Sequence, residues 1–159
     1  MNRSTKILLV ISLITLAIVS VITYINLSFA PYSSARSQSN SIAEEKANIV
    51  QPDYFGDYTR TDRYFAVGGL TNKKQYRYII INAKSGKTET FDKGNAPLRE
   101  KVLQGVADRY SPTKILHINL GLYKGKPTWE VAFENKNNTV GYNLVDFKTG
   151  KSVQLINNI

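Results

Sequence analysis

The chain has 159 residues, no cysteine, and 21 Lys and Arg against 12 Asp and Glu, a formal charge of +9. Without cysteine there is no disulfide, no thiolate nucleophile, no Cys-ligated zinc and no lipidated Cys anchor. The basic excess favours anionic partners without specifying a fold, and the length suffices for one compact domain or two very small ones.

Residues 7–30, "ILLVISLITLAIVSVITYINLSFA", carry no charge. A bilayer core ~30 Å thick takes about 20 apolar residues as a helix, so the sequence predicts a transmembrane helix at 7–30. Arg3 and Lys6 lie in the preceding tail, 1–6. The positive-inside tendency makes that tail cytoplasmic. The expected location is the cell membrane, single-pass, with the C-terminal domain extracellular. A cleaved secretory signal is the competing reading, since Ser28 and Ala30 are small residues ahead of Pro31. A signal's apolar core usually runs about 7–15 residues, and a bond to proline is awkward to cut because the ring fixes the backbone. The uncleaved anchor is therefore expected.

"PYSSARSQSN", residues 31–40, is Ser-rich and suits a stalk or a frayed helical extension. Ser41 with Glu44 has the form of a capping box, predicting a helix start there that ends before Pro52.

A repeat organises the remainder of the chain. Shifting the sequence by 64 positions lays Tyr64–Phe91 on Thr128–Leu155 without a gap, so that Phe65 meets Trp129, Tyr78 meets Tyr142 and Gly86 meets Gly150. In "TWEVAFE" Trp129, Val131 and Phe133 alternate with Glu130, Ala132 and Glu134, the two-residue period of a strand with one buried face. Val140, Tyr142 and Leu144 continue that face, and "KTGK" offers Gly150 for a reversal before Val153 and Leu155. Each copy reads as a three-stranded antiparallel meander.

Between the copies, Leu98, Val102, Val106 and Tyr110 recur on one helical face, with Asn95 as cap, Pro97 in the first turn and Pro112 after the end. "ILHINLGL" then alternates Leu116, Ile118, Leu120 and Leu122. The expected fold class is α+β: the transmembrane helix followed by two tandem units, 41–92 and 93–159, each a helix packed on an antiparallel sheet.

Trp129, Asp146, Thr149 and Gly150 carry the pattern of a PepSY-type unit: an aromatic strand, a strand ending in Asp, and a Thr-Gly turn. With the apolar N-terminal segment and a second, weaker unit, the chain resembles the TseB-like (YpmB-like) cell-wall elongation regulators of Gram-positive bacteria. That resemblance implies two cystatin-like units, no catalysis, and partnership with a penicillin-binding transpeptidase in cell-wall elongation. The alternative is a PepSY-like module that binds anionic wall polymer or inhibits a peptidase. Nucleic acid is not an expected partner, and no cofactor is expected. The first unit departs from the pattern at Gly68, Gly69 and Asn82, where the second has Ala132, Phe133 and Asp146.

The candidate chemistry is thin. "SPTK" at Ser111–Lys114 and "KTG" at Lys148–Gly150 have the form of penicillin-binding enzyme motifs, but Ser111 follows a helix instead of opening one, no Ser-x-Asn lies between them, and Lys148–Gly150 reads as a hairpin turn. His117 is the only histidine and has no second His or Cys to hold a metal with it. Glu44 and Glu45 are adjacent on a predicted helix and point apart. "VGGLTNKK" lacks phosphate-loop spacing and reads as a strand end and turn. Lys73, Lys74, Arg77, Lys124, Lys126 and Lys136 lie in or beside predicted turns, as solubilising charge or a polyanion surface. Of ten tyrosines, Tyr54, Tyr58, Tyr64, Tyr76, Tyr78, Tyr123 and Tyr142 suit either an interface or a sheet edge. No catalytic, cofactor or metal residue is assigned.

Overall fold

The computed structural model describes residues 3–159, the side chains of 3–10 and 25–30 excepted. Met1 and Asn2 of the expected tail, and the side chains at 7–10 and 25–30 of the expected span, therefore lie outside the described residues. The elements are α1 (Arg3–Ala47), β1 (Ile49–Thr59), β2 (Arg63–Thr71), β3 (Tyr76–Asn82), β4 (Thr88–Asp92), α2 (Arg99–Tyr110), β5 (Lys114–Tyr123), β6 (Lys126–Glu134), β7 (Val140–Asp146) and β8 (Ser152–Ile156). The chain divides into a unit ending at Ser37 and a compact unit, Gln38–Ile159.

In the first unit, Thr15, Ser20 and Thr23 return their hydroxyl protons to the carbonyls of Ile11, Leu16 and Val19, one turn back, so the helix satisfies its own polar side chains. Among the described residues no helix is long and apolar enough to cross a membrane. The transmembrane helix at 7–30, and the single-pass location with an extracellular domain inferred from it, are corrected on this finding. Ser41 is also not a helix start: α1 runs through it, and through Pro31.

The second unit holds two four-stranded antiparallel meanders, β1-β2-β3-β4 and β5-β6-β7-β8. The repeat is structural. Tyr64 pairs with Asn82 and Leu70 with Tyr76 in the first sheet, and Thr128 pairs with Asp146 and Glu134 with Val140 in the second, the same register displaced by 64 positions. Both turns are built alike. Asn82 Oδ1 accepts the amides of Lys84 and Ser85, Asp146 Oδ1 accepts the amide and hydroxyl of Thr149 at 2.8 Å each, and Gly86 and Gly150 take φ of +70° and +69°.

The two copies nevertheless do not fold as two units with separate cores. The first sheet is buried on both faces. Ile49, Val67, Ile79 and Ile81 pack with Ala43 and Ala47 at the end of α1. On the other face Tyr54, Ala66, Tyr78 and Ile80 share one core with Leu120, Trp129, Val131 and Phe133 of the second sheet, Phe147 just after β7, and Val102 and Val106 of α2. Tyr54 and Tyr78 meet the Trp129 ring edge-on, at 5.4 and 5.6 Å. This overturns the expected tandem architecture of a helix on its own sheet, twice. The inner face of the first sheet is closed by β5 and by rings from the other copy. The physical reason lies in β2 and β3, whose consecutive buried residues give a strand two apolar faces to cover.

Smaller corrections arise from the same packing. The second helix begins after Leu98, with no side-chain cap, so Asn95 does not cap it. A bulge between Ile115 and His117 leaves Leu116 exposed, breaking the expected alternation of "ILHINLGL".

Candidate functional site

At the mouth of the shared core lies a cavity of about 290 Å³ lined by Asp53, Tyr54, Tyr76, Tyr78, Leu98, Arg99 and Glu100. Three features of the sequence build it. The β1–β2 register shifts between Pro52 and Tyr54, leaving Asp53 as the bulged residue, and a bulge of this kind redirects one side chain. Asp53 accepts the hydroxyl proton of Tyr76. Gly68 leaves room for two of the lining tyrosines: a Cβ there would stand 2.6 Å from Tyr78 Cε1 and 3.1 Å from the Tyr76 hydroxyl. Finally, the first turn of α2 brings Arg99 over the Tyr54 ring at 5.7 Å, with Glu100 3.2 Å from its guanidinium.

The tyrosines are donors and anchors. Burial first, then the hydrogen bond to Asp53, raises Tyr76 far above the ordinary phenol range; burial pushes Tyr78 up to about 12. At neutral pH both hydroxyls keep their protons, that of Tyr76 committed to Asp53, so the cleft presents neutral phenols, two carboxylates and a guanidinium. That set can orient a ligand by hydrogen bonds and charge. Tyr54 is turned inward, its hydroxyl accepting the Leu120 amide at 2.9 Å and tying β1 to β5.

A second polar cluster sits where the sheets meet. Glu130, 7% exposed at its side chain, accepts from Arg60 at 2.8 Å; His117, still 42% exposed, lies 3.6 Å from its other oxygen. The Tyr58 hydroxyl is buried with no hydrogen-bond partner among the described residues, and its ring packs against Gly121, where a Cβ would be 2.3 Å away.

The structure does not assemble the sequence's other candidates. Ser111 caps α2 in a left-handed conformation, its amide donating to Ala107. Lys148 lines a separate cavity of about 450 Å³ whose walls include no serine, and Lys148–Gly150 is the turn closed on Asp146. Glu45 pairs with Lys46. Arg77 pairs with Asp92 at 2.6 Å and donates to the Ala47 carbonyl at the end of α1. Lys73, Lys74, Lys124, Lys126 and Lys136 are exposed, while Tyr64, Tyr76, Tyr123 and Tyr142 are half-buried. Sequence reasoning missed Asp53, Arg99 and Glu100. The available signal was Gly68, the position at which the first copy departs from the repeat and where any Cβ would press on the Tyr78 ring.

No family model and no curated protein matches the sequence. Among solved structures, the YpmB protein from Bacillus subtilis aligns with a TM-score of 0.64 and 20% identity, covering 76% of this chain and 95% of that one. The chain has a YpmB-like fold.

Proposed function

We propose that this chain is a noncatalytic binding protein of the TseB-like kind, built from PepSY-like repeats, that regulates cell-wall elongation by engaging a penicillin-binding transpeptidase. The observation that carries a binding role is the Tyr76–Asp53 pair at the rim of the cleft. A phenol held neutral against a bulge-presented carboxylate, beside an arginine, is recognition chemistry. The choice of partner rests on the resemblance of the Trp129 and Asp146 segments to PepSY units of the TseB-like regulators; the YpmB-like fold supports the architecture alone.

The test is affinity capture of detergent-solubilised penicillin-binding transpeptidases by the full-length chain, compared with Asp53→Ala and Arg99→Glu. The reading expects one transpeptidase to be enriched by the unsubstituted chain and reduced about tenfold by either substitution, the loss of ~1.4 kcal/mol. Equal recovery on all three, or no transpeptidase on any, would reject it.

A further inference from the structure

We propose that the open edge of β4 receives the C-terminal end of a peptide as an added strand, its carboxylate held by Lys93 and Lys148 and its last, apolar side chain against Phe91 and Phe147. This mode of binding is independent of which enzyme supplies the peptide.

Among the described residues β4 is the last strand of its sheet and pairs with β3 alone. The Lys93 amide donates to the Tyr76 carbonyl at 3.0 Å, and the Asn82 amide to the Lys87 carbonyl at 2.8 Å. Antiparallel ladders alternate bonded and non-bonded pairs. In the β3–β4 register the ladder bonds therefore fall at Tyr78–Phe91 and Ile80–Glu89. The amides and carbonyls of Thr88, Thr90 and Asp92 consequently point away from β3. An open strand edge of this kind is a template for a further strand.

At the C-terminal end of that edge the chain forms a cavity of about 450 Å³, with Thr90, Phe91, Asp92, Lys93, Phe147 and Lys148 among its walls. This is within the ~300–1,000 Å³ span of ligand sites. The Phe91 and Phe147 rings lie 6.1 Å apart and give it an apolar side. Its one acidic residue, Asp92, is engaged by Arg77 at 2.6 Å, so the two ammonium groups are left as the net charge of the mouth. No ion pair among the described residues occupies either lysine. The frame is preformed: the Ala96 amide donates to the Lys93 carbonyl at 2.9 Å, and the Lys148–Gly150 turn abuts Pro97, whose Cγ would be 3.0 Å from a Cβ at Gly150. A peptide parallel to β4 would bring its carboxylate to the lysines as its backbone meets Thr88, Thr90 and Asp92. The equivalent edge, β8, pairs through a register shift between Leu144 and Val145, a bulge that interrupts such a template.

The experiment measures binding of the full-length chain to an N-terminally fluorescein-labelled Val-Thr-Val-Thr-Phe peptide by fluorescence polarisation. The probes are the free acid, the C-terminal amide, and a free acid N-methylated at alternate residues so that it cannot pair with a strand. N-acetyl-phenylalanine serves as an unlabelled competitor. We expect the free acid to bind about tenfold tighter than the amide or the N-methylated peptide, and the double variant Lys93→Ala/Lys148→Ala to abolish the preference for acid over amide. Three results would overturn the proposal. They are equal binding of acid and amide, no binding of the free acid at about 1 mM, and N-acetyl-phenylalanine competing as well as the unlabelled pentapeptide, which would indicate a small-carboxylate pocket without strand addition.

Discussion

The Arg60 guanidinium, at the end of β1, reaches the Glu130 carboxylate in β6 at 2.8 Å, joining residues 70 positions apart in the sequence across the two sheets. Glu130 is 7% exposed and Arg60 22%, so removing the arginine strands a buried carboxylate. We expect Arg60→Ala to cost about 3 kcal/mol, and Arg60→Met with Glu130→Gln to recover most of that, because the stranded charge dominates the loss. Urea midpoints of the two variants check it.

Tyr58 lies beside that pair, its hydroxyl buried without a hydrogen-bond partner among the described residues. Tyr58→Phe should therefore be neutral or stabilising by up to about 1 kcal/mol at pH 7. Burial, then the charge of Glu130, pushes Tyr58 up to about 12 from 10.0. A raised pKa means the folded state holds the proton more tightly. The associated stability is present below pH 10 and lost as pH rises through 12, at no more than about 1.4 kcal/mol per unit for this group. Denaturant unfolding at several pH values between 9 and 12 should show a shallower decline for Tyr58→Phe than for the unsubstituted chain.

Two glycines should respond in opposite directions to alanine. At Gly69 a Cβ would sit 2.3 Å from the Gln51 carbonyl and 2.7 Å from Pro52 Cα, both backbone, so Gly69→Ala should cost about 3 kcal/mol by prising β1 from β2. Gly105 lies within α2 and a Cβ there meets nothing within 4 Å. Gly105→Ala should stabilise by about 0.5–1 kcal/mol through helix propensity. Thermal unfolding midpoints moving down and up respectively would agree.

The two repeat turns should differ in acid. Burial alone would raise Asp146, but the Thr149 hydroxyl and the Thr149 and Lys148 amides outweigh it and hold the carboxyl below its ordinary value. Its contribution is therefore present above the unfolded carboxylate pKa and lost as pH falls through the lower folded one. Asn82, its counterpart, does not titrate. Asp146→Asn should flatten part of the stability loss below about pH 4, while Asn82→Ala should cost about 1 kcal/mol at every pH, both read from denaturant curves.

Much of the local structure was legible because it depends on neighbours in sequence. Gly86 and Gly150 marked turns, and the two-residue period at Trp129, Val131 and Phe133 placed the core face of β6, but the expected single buried face is corrected by the burial of Thr128, Glu130 and Ala132 on the other side. The cleft was less so. Asp53 reaches Tyr76 only because a bulge redirects it, and Arg99 arrives from a helix whose start, after Leu98, has no side-chain cap to announce it.

The repeat, its register and its paired turns were determined by the chain's own pattern, since strand pairing between near neighbours follows alternation and turn chemistry. Only the tertiary structure decided that the copies share a core, that Tyr54 bonds into β5, and that Glu130 is held by an arginine at the end of β1. Those outcomes depend on which apolar faces meet. Alternation marks a face as buried but carries no record of the surface that covers it.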